Sequence, residues 1–218
     1  MSIIKCAILC VPVYDEDAVD RVRRTLAALT PGAVVLADRH VASRRYQVEE
    51  TLRRCCDEEE LDLVLTVGGT LPAPGPGAGE IVPEATLAVV ERLTPGLPEA
   101  MRAFAQDETP LALLDRSVAG IRGRTLIVNL PAGAAAATLF LEAIAEVLAP
   151  IVAHLQEDPG APRLADAIPD SAGEPATKRP QPASTATSEA FVPNAGDTRH
   201  KLDPEEFAEY LRRRTSGA

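Results

Sequence analysis

The residues best placed to do chemistry follow one apolar run. Leu61 to Val67, LDLVLTV, leads directly into Gly68, Gly69 and Thr70. Glycine lets the backbone come close to a ligand. The N–H groups of that turn, the Thr70 hydroxyl and the first amides of a helix expected to begin near Pro83 could together hold phosphate oxygens without any net positive charge. Glu84 and Thr86 would fall in the first turn of that helix, where an acid suits the dipole and a threonine can cap or pack. Arg116, Arg122 and Arg124 cluster further along and could face an anion. Arg122 and Arg124 flank Gly123, so they are expected to be more solvent-exposed than Arg116. Cys6 and Cys10 fall on an expected buried strand and Cys55 and Cys56 on an expected helix. No His pair stands nearby to complete a zinc site, so all four read as reduced packing residues.

The elements that must position these groups alternate. Ile3 to Val13 is a continuous apolar run, the mark of a strand buried on both faces of a parallel sheet. Val19, Val22, Leu26 and Leu29 then recur at helical spacing, and Pro31 and Gly32 stop the segment before a second strand, Ala33 to Ala37. Ser43 is expected to cap a helix with Val48, Leu52 and Cys55 on its inner face. Leu61 to Val67 is the third strand. A short helix over Glu99 to Phe104 precedes the apolar run Leu111 to Leu114; Arg124 to Leu130 is another strand, and Ala134 to Leu155 a long closing helix. Strand–helix alternation implies an α/β fold, a three-layer, mostly parallel sheet with helices on both faces.

Composition divides the chain. Residues 1–155 carry the large apolar groups, whereas 156–201 are rich in Pro, Ala, Ser and Thr and read as a disordered linker. Residues 202–214, containing DPEEFAEYLRRR, suit a short C-terminal amphipathic helix with Phe207, Tyr210 and Leu211 on one face, either docked on the domain or free for a protein partner. The net charge of −10 and pI near 4.9 argue against nucleic acid as partner, and aromatics at 3% leave few rings for base stacking. The N-terminal apolar run is too short for a membrane span and lacks a small-residue cleavage site, so no membrane association and a cytoplasmic location are expected.

LDLVLTVGGT, PEAT at 83–86, PGLPEAMR at 95–102 and TPLALLDRSVAGIRGRTLIVNLP at 109–131 occur in an order that resembles the MoaB/Mog family of molybdenum cofactor synthesis. The resemblance covers most of residues 50–155. It implies a molybdopterin-binding domain, usually a homotrimer, with molybdopterin and ATP as ligands and Mg2+ as cofactor. Members of that family transfer the adenylyl group of Mg-ATP to the terminal phosphate of molybdopterin. Carried onto this chain, the motifs imply Gly68, Gly69, Thr70, Glu84, Thr86, Arg116, Asn129, Pro131 and Gly133 as substrate- or nucleotide-binding residues. Glu80 is then the catalytic and magnesium-holding acid.

Several positions depart from the family pattern. The loop LPAPGPGAGEIVPEAT is longer than the family's and sets Gly79 and Glu80 where Arg-Asp is usual. Ala42 and Ser43 stand where an acid is usual, VPVYDED replaces Ser-Asp-Arg after the first strand, and PAGAA replaces Pro-Gly-Ser-Pro-Lys, which leaves Gly133 out of register. Asp15 or Asp17 could supply a further oxygen to a metal, or be ordinary solvated acids. Two functions stay open: an adenylyltransferase, or a catalytically impaired paralogue that binds pterin or nucleotide or serves as a scaffold subunit.

Overall fold

The computed structural model describes residues 3–72, 75 and 80–161. Gly79, most of the linker and the C-terminal helix expected at 202–214 lie outside the described residues.

The chain runs β1 (Ile4–Cys10), α1 (Glu16–Leu29), β2 (Ala33–His40), α2 (Arg45–Asp57), β3 (Leu63–Val67), α3 (Val82–Leu87), β4 (Arg92–Leu93), α4 (Gly96–Ala105), a 3₁₀ turn (Pro110–Leu114), β5 (Ala119–Arg122), β6 (Thr125–Leu130), α5 (Ala134–Glu142) and α6 (Ala145–Leu155). The strands form one sheet in the order β2-β1-β3-β6-β5-β4. β2, β1, β3 and β6 are mutually parallel, while β5 pairs antiparallel with β6 and β4 antiparallel with β5.

Alternation along the central strands assigns the two faces. Cys6, Ile8 and Cys10 of β1, with Leu63, Leu65 and Val67 of β3 and Leu126, Val128 and Leu130 of β6, pack on α1, α4, α5 and α6. Ala7, Leu9, Val64 and Ile127 pack on the opposite side against Val48, Leu52 and Cys55 of α2 and Val82 and Ala85 of α3. Both faces are covered, as the unbroken apolar runs required. Leu52, Leu65 and Ile127 are fully buried, and each such side chain stabilises the fold by about 1.5–3 kcal/mol over exposure. Burial pushes the Cys6 thiol up to about 12.

Several sequence expectations need correction. Ser43 does not cap α2: the helix is entered through Arg44, without a side-chain cap bond. Leu29, the last residue of α1, is exposed and does not share the buried stripe of Val19, Val22 and Leu26. The closing helix is two helices, α5 and α6, bent by 63° at Ala143 and Ile144. Ile144 is buried in the main core, so the kink turns a mostly apolar segment back onto the sheet. Among the described residues no single helix is long and apolar enough to cross a membrane.

Candidate functional site

The chain leaves β3 through a turn that only glycine fits. Gly68 has φ +101°, and a Cβ there would stand 2.1 Å from the Val11 carbonyl oxygen; Gly69 has φ +66°, and its Cβ would stand 2.7 Å from a Val82 methyl. The turn is thus sealed against the end of β1 on one side and the start of α3 on the other. The Gly68 N–H, expected to be available for a ligand, donates to the Leu130 carbonyl at 2.9 Å and extends the sheet instead. Among the described residues the Gly69 and Thr70 N–H groups have no backbone partner.

Thr70 is fully buried, and its hydroxyl donates to Asp115 Oδ2 at 2.6 Å. The hydroxyl expected to hold phosphate thus gives its proton to a carboxylate, which accepts only. Asp115, itself buried, escaped the sequence reading because an acid beside an arginine reads as a solvated pair. Its neighbour Arg116 reaches out over the turn, with Nη1 3.2 Å from Glu80 Oε1 and Nη2 bonded to Glu84 Oε1. The structure thereby joins three residues that were 36 positions apart at most. Among the described residues Glu84 Oε2 is buried without a hydrogen-bond partner.

A cleft of about 500 Å³ opens beside this turn, lined by residues 11–17, Val67, Gly68, Ala132 and Gly133. Gly133, at φ +89°, leads into α5, so the helix begins at the cleft wall. Pro131 is buried just before it. Asp15 caps α1, its Oδ1 accepting the Ala18 N–H at 2.9 Å, while Glu16 and Asp17 stay exposed on the rim. On that rim the Tyr14 hydroxyl donates to Asp38 at 3.0 Å.

Other expected site residues serve the frame. Asn129 is fully buried; its Nδ2 donates to Thr66 Oγ1 at 3.0 Å and Thr86 Oγ1 at 2.9 Å, and its Oδ1 accepts the Val118 N–H at 3.2 Å. Thr86 is likewise buried in that network. α3 has only six residues, so its dipole at Pro83 is short. The three arginines do not form one cluster. Because β5 and β6 are antiparallel, Arg116 precedes β5 at the end tied to Thr70, while Arg122 and Arg124 flank the hairpin at the other end. Arg122, expected to be the more exposed, is less so than Arg116 (side chains 23% and 40%), because it clasps Asp57 at 2.7 Å and the Val89 carbonyl at 3.1 Å. Arg124 pairs with Glu157 at 3.0 Å.

The mostly parallel sheet thus brings its glycine turn to the strands' carboxyl ends, the edge at which open α/β sheets place a ligand crevice. Residues 12–154 match the family model described as probable molybdopterin binding domain, and the chain belongs to that family. It is 33% identical over 142 residues to molybdopterin adenylyltransferase of Escherichia coli K12, covering 65% of this chain and 71% of that protein. Over 91 residues it is 45% identical to the protein of the same name from Helicobacter pylori J99, 42% of this chain and 49% of that one. The match thus spans about half the length of the Helicobacter relative. Among solved structures, the molybdopterin biosynthesis enzyme MoaB of Thermus thermophilus superposes with a TM-score of 0.65 at 36% identity, covering 72% of this chain and 99% of that one.

Proposed function

We propose that this domain transfers the adenylyl group of ATP to molybdopterin. The observation that carries the reading is Arg116, held by Glu80 and Glu84 above the glycine turn at the carboxyl edge of the sheet. In the reaction an oxygen of the pterin's terminal phosphate forms a bond to the α-phosphorus of ATP. The bond from that phosphorus to the bridging oxygen of the β-phosphate breaks, and pyrophosphate leaves with the electron pair. Charge crowds on the α-phosphoryl oxygens as this happens, and donors fixed in advance stabilise it most. Arg116 supplies five such N–H donors in a planar fork, and the Gly69 and Thr70 amides and the start of α5 flank the same edge.

The residues also suit magnesium. Glu80 and Glu84 both meet the Arg116 guanidinium, and among the described residues Glu84 Oε2 is buried without a hydrogen-bond partner, which suits a small hard cation that takes one or two carboxylates and shares substrate phosphates. Glu80 and Glu84 would hold it, and when bound it would neutralise phosphate charge. Arg116 is then free to turn from the carboxylates to the nucleotide.

Relatives named molybdopterin adenylyltransferase support the reading. The second reading, a paralogue that binds without turnover or acts as a scaffold subunit, is favoured by one observation: the Gly68 amide and the Thr70 hydroxyl are already spent inside the protein. Calorimetric titration with Mg-ATP and with molybdopterin, followed by an assay for the adenylate, decides. Heat and product from the wild type, with product falling at least ~100-fold in Glu80→Ala, supports transfer. Binding without product establishes a paralogue that binds without turnover, and no heat from either ligand rejects transfer and leaves the scaffold role.

We place the protein in the cytoplasm as a homotrimer, with residues 1–155 as the folded domain, 156–201 as linker and 202–214 as a helix available to a protein partner. The support for self-association is an apolar surface made of Phe104, Leu111, Leu113 and Leu114, all exposed on the single chain.

A further inference from the structure

We propose that Asp115 is a positioning residue whose buried carboxylate aims Arg116 at the anionic ligand; the ligand's identity rests on the adenylyl-transfer reading. Asp115 is 4% exposed. Its Oδ2 accepts the Thr70 hydroxyl at 2.6 Å and its Oδ1 accepts the Ser117 N–H at 2.8 Å. Among the described residues no cationic side chain meets either oxygen; Arg102 Nη1 donates instead to the Asp115 and Ser117 main-chain carbonyls, each at 3.4 Å. The Arg116 N–H donates to the Thr70 carbonyl at 3.1 Å.

These bonds pin the backbone on both sides of Arg116. The Oδ1 bond closes a turn across it, the Oδ2 bond ties that turn to the residue after the two glycines, and the main-chain bond repeats the tie. The Arg116 side chain is left to project over the glycine turn, where Glu80 and Glu84 meet it. A buried carboxylate without a cation is costly to hold, and packing alone would be served by an apolar residue. What the carboxylate supplies is two acceptors in a fixed geometry that join the turn from β3 to the entry of β5. A displacement of about 1 Å in a phosphate-binding side chain is enough to lose much of its effect.

The test uses the full chain and two readouts. The first, independent of any nucleotide, is the NMR order of the Arg116 side-chain Nε–H in wild type, Asp115→Ala and Asp115→Asn. Order should fall in Asp115→Ala and be kept in Asp115→Asn, whose amide can still accept from Ser117 and donate to the Thr70 oxygen. The second is Mg-ATP affinity by calorimetry in a double-mutant cycle with Arg116→Ala. Asp115→Ala should weaken binding about tenfold, Asp115→Asn should restore it to within about threefold, and Asp115→Ala should add nothing once Arg116 is gone.

A residue that merely holds the fold would weaken binding equally in both backgrounds, and that result overturns the proposal. So does unchanged Arg116 order in Asp115→Ala, or an Asp115→Asn as impaired as Asp115→Ala. If Asp115→Ala does not fold, Thr70→Val cuts the same tie from the other side with the same expected outcomes. A wild type that binds no Mg-ATP rejects adenylyl transfer, while the Arg116 order still decides the clamp.

Discussion

At the scale of single residues, two glycines at the ligand edge are required for different reasons, and substitution separates them. Gly68 combines a left-handed backbone with a Cβ position 2.1 Å from a carbonyl oxygen, so Gly68→Ala must push β1 away from β3. It should cost about 3–4 kcal/mol in urea unfolding. Gly133 has the same backbone sign but open space at its Cβ, and Gly133→Ala should cost about 1–2 kcal/mol, the left-handed penalty alone. Equal losses would show that the contact with Val11 is relieved by small shifts. Far from the cleft, the Arg122 guanidinium beside Asp57 holds that carboxyl below its ordinary value of 3.8. The lowered value means the pair's small stabilising effect is complete above the ordinary aspartate pKa and is lost as pH falls through the lowered one. An NMR titration of Asp57 should therefore move upward in Arg122→Gln, and an unchanged midpoint would dismiss the pair.

Among the elements, β6 is tied to its neighbours by one side chain. Asn129 spans the β3 residue Thr66 and the α3 residue Thr86, both buried, and the approach to β5 at the half-buried Val118. Asn129→Ala strands those groups and should cost about 2–4 kcal/mol in chemical denaturation; a loss under ~1 kcal/mol would mean that water fills the gap. The elements legible in the sequence are those whose apolar pattern is long enough to have only one solution: β1, β3 and β6 as unbroken runs, α1 and α2 by their inner stripes. β4 and β5, of two and four residues, are too short for any period to show, and their antiparallel entry into the sheet depends on the hairpin at Gly123. The break between α5 and α6 was hidden because the residues on both sides are good helix formers and mostly apolar, so the helical pattern reads straight through it. At the site, the glycine turn and Arg116 could be read from local spacing. The role of Asp115 could not, since it depends on a partner 45 positions away.

For the whole molecule, the surface poses a question that the cleft does not. Leu111, Leu113 and Leu114 stand together on a five-residue 3₁₀ turn, with Leu111 67% exposed, on a chain of net charge −10 that would otherwise be expected to keep copies apart. If the patch joins copies, sedimentation of the wild type should give a trimer, and Leu113→Glu with Leu114→Glu should give a folded monomer. A wild type that sediments as a monomer at micromolar concentration would leave the patch for another partner.

The antiparallel β5–β6 hairpin also separates the molecule into a working side and a handling side. Its tip, Gly123, has nothing near its Cβ position and turns away from the glycine edge across the full length of both strands. A fluorophore or short epitope spliced there would ride on the far end of the hairpin, giving a reporter for assembly or tethering that leaves the glycine-turn cleft clear.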